Sequence, residues 1–210
     1  MKTLTAALLM VLALASPSAA QDAPYISVRP FLMISEQEFR AVTTFEAIYG
    51  QASQTFWGGG VSLTQEDRFY LDLAASQFNK TGQRAFRTVG GQVFRLGIAD
   101  TVTITPLELT AGYRFHHWSR VIPYVGGGIG LYRYKEAAAF STPDENVDTH
   151  HAGAIFEGGV EVRLHRWIGA GVDAHFTHVP GILGIGGISQ DVSENDLGGI
   201  SVRAKIIVGR

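Results

Sequence analysis

The chain has 210 residues, of which 46% are hydrophobic and only 17% charged, with a formal net charge of −2. That length supports one domain with a sizeable core, and so low a charge content excludes long disordered segments. No run of Lys or Arg is present to hold a nucleic acid, and with no cysteine there is no disulfide, thiolate metal site, Cys nucleophile or lipoprotein anchor.

The first 20 residues read as a cleaved signal peptide. Lys2 is a short basic region, Leu4 to Ala15 is apolar, and Ser18-Ala19-Ala20 precedes Gln21 as a small-residue cleavage site. The apolar stretch is short of the ~20 residues that a spanning helix needs. The sequence therefore divides into a signal peptide, 1–20, and one domain, 21–210.

Beyond Gln21 the side chains alternate with a period of two, the signature of strands. Ile26, Val28, Leu32 and Ile34 share one face, opposite Ser27, Arg29 and Phe31. Trp57, Val61 and Leu63 oppose Gly58, Gly60 and Ser62. Phe69, Leu71, Leu73 and Ala75 oppose Tyr70, Asp72, Ala74 and Ser76, and Leu107, Leu109, Ala111, Tyr113 and Phe115 oppose Glu108, Thr110, Gly112 and Arg114. Val121 to Tyr134 is strand-like, but Gly126-Gly127-Gly128 leaves its faces unassigned. Arg133 and Lys135 could then face the interior, lipid headgroups or the outer rim. Ala152, Ala154, Phe156, Val160, Val162 and Leu164 oppose Glu157, Gly159, Glu161 and Arg163. Ile168, Ala170, Val172, Ala174 and Phe176 oppose Gly169, Gly171, Asp173, His175 and Thr177, and Ile200, Val202, Ala204, Ile206 and Val208 oppose Gly199, Ser201, Arg203 and Lys205.

These segments make eight strands. Tight turns are expected at 65–67, 116–119 and 165–166, and long loops at Ser35–Gln54, Gln77–Asp100, Glu136–His151 and Val179–Asp196. Short turns at one end and long loops at the other are the pattern of a transmembrane β-barrel. A secreted lipocalin-like barrel shares the strand number and the alternation. Its exterior, however, needs more charge than this chain has, whose only lysines beyond Lys2 are Lys80, Lys135 and Lys205. The apolar stripes are long enough for a tilted strand to cross the hydrocarbon, and Trp57, Phe69, Tyr113, Phe115 and Phe176 stand where interfacial girdles would be.

Pro123-Tyr124-Val125-Gly126-Gly127-Gly128-Ile129-Gly130 and Leu109-Thr110-Ala111-Gly112-Tyr113-Arg114-Phe115 resemble strands of the small eight-stranded outer-membrane barrels grouped with the OmpA and OmpX transmembrane domains. The resemblance extends over 21–210 and implies an all-β, antiparallel up-and-down barrel in the cell outer membrane. Members of that group often end in an aromatic residue, whereas this chain ends Ile207-Val208-Gly209-Arg210.

The inward face carries the chemistry. Arg29, Arg114, Arg163, Arg203 and Lys205 are expected to meet Asp72, Glu108, Glu157, Glu161 and Asp173 in a lumen just wide enough to be filled by side chains. Buried charges are tolerated when they pair, so the balance points to a salt-bridge network that plugs the barrel. A selective pore would show one sign in excess.

Other arrangements carry less. His175 and His178 fall on opposite faces of one strand and cannot chelate a metal together, and the pairs His116-His117 and His150-His151 read as surface residues. Gly126 to Gly130 opens no helix and so lacks the means to hold a pyrophosphate. Asp173, His175 and Thr177 align on one face, but that face is lumenal, whereas lipid A hydrolysis or acyl transfer needs a site reaching the membrane. No catalytic, cofactor or metal residue is therefore expected. The loops at Pro143–Asp148 and Gln190–Asp196 are acidic and available to cations or basic partners, and the apolar 181–188 segment suits either the barrel mouth or a partner. The expected role is structural or surface-binding, by a monomer surrounded by outer-membrane lipid; narrow porin-like passage of small solutes is the alternative.

Overall fold

The computed structural model describes residues 25–88, 92–115, 120–139, 146–184 and 187–209. In it the chain closes into a barrel of eight antiparallel strands: β1 (Ile26–Phe39), β2 (Ser53–Gln65), β3 (Phe69–Arg87), β4 (Val93–Arg114), β5 (Val121–Ala138), β6 (Val147–His165), β7 (Ile168–His178) and β8 (Gly199–Val208). Each strand pairs with the next, and β1 pairs with β8, Phe31 opposite Ile207 through Phe39 opposite Gly199, so no sheet edge is left open. Helix α1 (Val42–Tyr49) lies between β1 and β2, and α2 (Gly187–Asp191) between β7 and β8. The expected signal segment and the His116-His117 turn lie outside the described residues.

The two ends differ. At one, β2 turns into β3 through Glu66 and Asp67, both with positive φ (51° and 56°), closed by Arg68 N–H donating to the Gln65 carbonyl at 3.0 Å. A left-handed pair of this kind matches the twist of the strands it joins. At the other end stand α1, α2 and the longer connections, and we call these the turn end and the loop end.

Around the turn-end half, the apolar stripes face outwards. Leu32, Trp57, Leu73, Leu107, Ile129, Phe156, Val172, Ile200 and Ile206 are all exposed, forming a continuous belt. On β8 it runs from Ile200 to Val208, and strands at the usual rise and tilt make such a stretch about 23 Å tall. Phe69, Tyr113 and Phe115 stack edge-on along its turn-end border. Exposed Trp57, opposite Gln77, marks the other border.

Beyond that border the pattern inverts. Phe39, Phe56, Phe78, Val102, Ile104, Tyr132 and Tyr134 point inwards into a buried apolar cluster. The outward positions of the same strands turn polar, with Asn79 Nδ2 donating to Thr103 Oγ1 at 2.7 Å and the Thr81 and Thr101 hydroxyls 2.8 Å apart. This corrects the expectation of a long loop at 77–100. β3 and β4, of 19 and 22 residues, continue as one hairpin, with a register shift between Gln83 and Ala85. The outward stripe had supplied the strand signal, and here that stripe is hydrophilic while Thr101, Val102, Thr103, Ile104 and Thr105 supply β-branched strand formers.

The faces of β5 are also resolved. Tyr124, Gly126, Gly128, Tyr132 and Tyr134 are inward, while Arg133 and Lys135 project outwards near the loop end, each pairing with Asp148 of β6, at 2.7 and 3.2 Å.

Candidate functional site: a lumenal ion network and its lid

The lumen is organised around Arg203 on β8, whose guanidinium is shared by three carboxylates. Nε donates to Asp173 Oδ1 at 2.6 Å, Nη1 to Glu108 Oε2 at 3.3 Å, and Nη2 to Glu157. Asp173 is directly opposite Arg203 in the β7–β8 register, so this pair is set by the sheet itself. Lys205, two residues on and therefore on the same face, lies 3.1 Å from Asp173 and 3.8 Å from Asp72. A second cluster nearer the turn end centres on Glu161, which takes the Arg29 fork and lies 2.9 Å from Arg114 Nη2. The planar fork of Arg suits this sharing between carboxylates.

These nine residues, Arg29, Asp72, Glu108, Arg114, Glu157, Glu161, Asp173, Arg203 and Lys205, are all buried. Arg163 departs from the expected set. It occupies the last inward position before the turn to β7, with its side chain 38% exposed at the mouth, and pairs with Asp67 of the β2–β3 turn at 2.8 Å. This network thus sets four cations against five carboxylates, and three tyrosines help satisfy the acids. Tyr70 donates to Glu157 at 2.8 Å, Tyr124 to Asp173 at 2.7 Å and Tyr132 to Glu108 at 2.9 Å, while Thr110 donates to Glu157 at 3.2 Å.

The tyrosines are what the sequence reading missed. Tyr70 had been placed on the inward face without a role, and the ambiguous glycine centre hid Tyr124 and Tyr132; extending the parity of Tyr124 through Gly126 and Gly128 to Tyr132 would have found them. The glycines make this arrangement possible. A Cβ on Gly112 would stand 2.6 Å from the Tyr70 ring, and one on Gly126 would collide with its hydroxyl.

The Asp173, His175 and Thr177 line is inward and buried, as its face implies. Asp173 is taken up by Arg203, Lys205 and Tyr124. His175 instead lies between Ser201, with Nδ1 3.4 Å from Oγ, and Glu108, with Nε2 3.6 Å from Oε2. The order of hydroxyl, imidazole and carboxylate is that of a catalytic triad, but all three groups are buried in the packed lumen, where a substrate has no approach.

Above the network lies a lid. Phe45 of α1 stacks on Phe39 with ring centroids 3.8 Å apart, and Ile182, Leu183 and Leu197 of the β7–β8 connection complete the apolar cluster. Helix α1 has Ala41 at its N-cap and no capping side chain of its own. Glu194 supplies the cap, accepting from Thr43 N–H at 3.0 Å, Thr44 N–H at 2.8 Å and the Thr44 hydroxyl at 2.7 Å. At the other end Arg95 of β4 donates to the Ala47 and Glu46 carbonyls at 2.9 and 3.1 Å. An anion at the N-terminus and a cation at the C-terminus both oppose the helix dipole. Asp196 ties the base of the same connection, accepting from Val179 and Gly198 N–H and pairing with Arg40 and His178. Burial works against the Asp196 carboxylate, but these donors hold it below the usual carboxylate range. Two carboxylates of the acidic 190–196 segment are thus engaged within the chain. Pro143 to Glu145 lie outside the described residues.

At the turn end, a vestibule of about 890 Å³ is lined by Arg29, Asp67, Glu161, Arg163, His165 and Arg166, among others, and reaches the Glu161 cluster. The next void inward, between Arg29, Tyr70, Asp72, Arg114 and Lys205, is only about 30 Å³, the room of a single water.

The chain is a closed eight-stranded up-and-down barrel with an apolar exterior and an ion-paired interior, and solved barrels of outer-membrane proteins share its fold. The outer membrane protein OprG from Pseudomonas aeruginosa superposes with a TM-score of 0.57 at 12% identity, covering 88% of this chain and 95% of that one. The N-terminal β-barrel domain of Pseudomonas aeruginosa OprF gives a TM-score of 0.50 at 13% identity, covering 88% and 97%. The likeness is one of fold. No protein-family model matches the chain, and no curated protein does.

Proposed function

We propose that this chain is an integral outer-membrane barrel with a structural, surface-presenting role, in which the lumen is a core and not a conduit. The belt of exposed Leu, Ile, Val and Phe side chains supports immersion in lipid, because no water-soluble domain leaves an apolar band of that extent uncovered. Orientation follows from the class: the turn end faces the periplasm, and the loop end, where the β3–β4 hairpin turns Asn79, Thr81, Thr101 and Thr103 outwards, stands clear of the membrane outside. A signal peptide at 1–20 is the export route consistent with this placement. Lipid is the principal partner, the unit is a monomer, and the reading is non-enzymatic.

The observation that carries the closed reading is the double stop. Arg203 is clamped by Glu108, Glu157 and Asp173 at mid-lumen, and α1 is packed over the loop-end mouth. An ion crossing would have to break the most highly connected ion cluster in the described interior and displace a buried aromatic stack. The test is planar-bilayer conductance of the refolded chain, run beside its gel mobility before and after boiling. A heat-modifiable band with no steady conductance is expected. One observation favours the narrow-channel alternative, namely the depth of the turn-end vestibule, and stable ion-conducting steps would make transport the leading function.

A further inference from the structure

The loop end holds a second cavity that the closed-barrel reading does not use. It has a volume of about 240 Å³, roughly eight water volumes. Ile48 of α1, Ile182 and Leu183 of the β7–β8 connection, Ile188 of α2 and Val147 of β6 give it apolar walls, and Arg84 and Val147 are exposed at its mouth. Asp100 of β4 and Glu136 and Tyr134 of β5 supply its polar end.

That polar end is under-satisfied. Asp100 is 1% exposed, yet no N–H or O–H of any described residue reaches its Oδ1. Tyr134 donates to Glu136 Oε2 at 2.7 Å, and the Glu136 carboxyl in turn shares a side-chain hydrogen bond with Asp100, whose Oδ1 is left over. Two carboxyl groups in contact, one of them buried and the other half-buried, do not both ionise readily without a cation between them. The charged and titratable groups facing the pair are Arg84 from β3, Tyr134 on β5 and Tyr49 on α1, and Arg84, the cation among them, is exposed at the mouth. We propose that this cavity binds a small organic ammonium ion, its apolar body against Ile48, Ile182, Leu183 and Ile188 and its charge on the Asp100–Glu136 pair.

The walls argue for an amine over a metal ion, since two carboxylates and a phenol among aliphatic side chains fall short of the six to eight oxygens that calcium takes. A proton is the resting occupant. Burial, and behind it the Glu136 carboxyl, push Asp100 up to about 7, with Arg84 pulling the other way. An incoming ammonium therefore displaces one proton, leaving the total charge unchanged, and affinity should rise about tenfold per pH unit up to pH 7.

The experiment is calorimetric titration of the full refolded chain at about pH 6, a unit below the Asp100 value, with 2-phenylethylamine, in two buffers of different ionisation enthalpy, with 2-phenylethanol as the uncharged isostere. Saturable amine binding with release of one proton, at least about tenfold tighter than the alcohol and weakened about tenfold by Glu136→Gln, is the expected result. Equal binding of amine and alcohol, binding without proton release, or a response to calcium with none to the amine would each overturn the proposal. The proton count is read on the unaltered protein, so an Asp100→Asn or Glu136→Gln chain that fails to fold leaves the test intact. Conductance does not enter it, so it stands apart from the test of the closed barrel.

Discussion

The two halves of this barrel are built from the same strands with opposite hydrophobic polarity. In the turn-end half, Leu71 and Leu73 of β3 face outwards and Asp72 inwards; a few residues on, Phe78 faces inwards and Asn79 outwards. On β4 the outward Leu107 and Leu109 give way to the inward Val102 and Ile104. Both strands run on between them in the same register, although the pairing lapses at Ser76 and Gln77, opposite Pro106 and Thr105. A pleated strand fixes only that neighbours face opposite ways; which set is apolar is decided by what lies outside. The proposed function accounts for the switch: a level solvated by lipid keeps its charges inside, and one solvated by water keeps an ordinary core. On the proposed placement in lipid, the inversion near Trp57 and Gln77 marks the membrane surface.

The largest effect is expected where the first half hides its charge. Arg203→Ala leaves Glu108, Glu157 and Asp173 facing one another without their shared cation, and stranding buried charge in this way costs about 3–5 kcal/mol. The folded band in unboiled gels should give way at a lower temperature or urea concentration than in the parent chain. Leu73→Ala, on the outward face of β3, should shift the transition far less. Equal shifts would mean that the lumen is not the stabilising core of this half.

A smaller effect sharpens the border itself. Leu73→Arg places a charge on the lipid face and should destabilise the barrel by about 2–4 kcal/mol, the cost near a bilayer midplane. Gln77→Arg, four residues further along the same outward stripe, should cost almost nothing. Urea titrations of both variants in lipid vesicles would measure the difference, and a large cost at position 77 would move the boundary outwards past Trp57.

The inversion also explains which parts of the molecule were legible from its sequence. The eight strands and the inward position of Arg29, Asp72, Glu157, Glu161 and Arg203 follow from strict alternation, because a uniform apolar stripe is easily read. The 77–100 hairpin was hidden since its stripe changes sides, so that Gln77, Asn79, Thr81 and Gln83 look like a loop when they are the wetted face of a strand. Arg163 has the right parity, but parity carries no depth, and only the position of the turn places it at the rim beside Asp67. The clasp on α1 was beyond reach for a different reason. Glu194 and Arg95 act on a helix about 150 and 50 residues away, and no local pattern encodes such a meeting.

That clasp offers the smallest of these tests. An eight-residue helix without its own cap is too short to persist in water, so α1 owes its place to the Phe39–Phe45 stack and to the charges at its two ends. Glu194→Ala removes the N-terminal acceptor at a cost of about 1 kcal/mol, the usual worth of a cap. The loss should be local: faster amide exchange across 42–49, with heat-modifiability unchanged. Burial disfavours the charged Glu194, but the Thr44 hydroxyl and the Thr43 and Thr44 N–H groups outweigh it and hold the carboxyl below its ordinary range. A depressed carboxylate contributes its stability above its ordinary pKa and loses it as pH falls. Exchange within α1 should therefore accelerate on acidification below about pH 4 in the parent chain, after correction for intrinsic rates, and lose this component in Glu194→Ala. Were the variant to loosen the whole barrel, the lid would be part of the same cooperative unit as the belt. The two halves would then be one core with two surfaces, and not two cores joined by continuous strands.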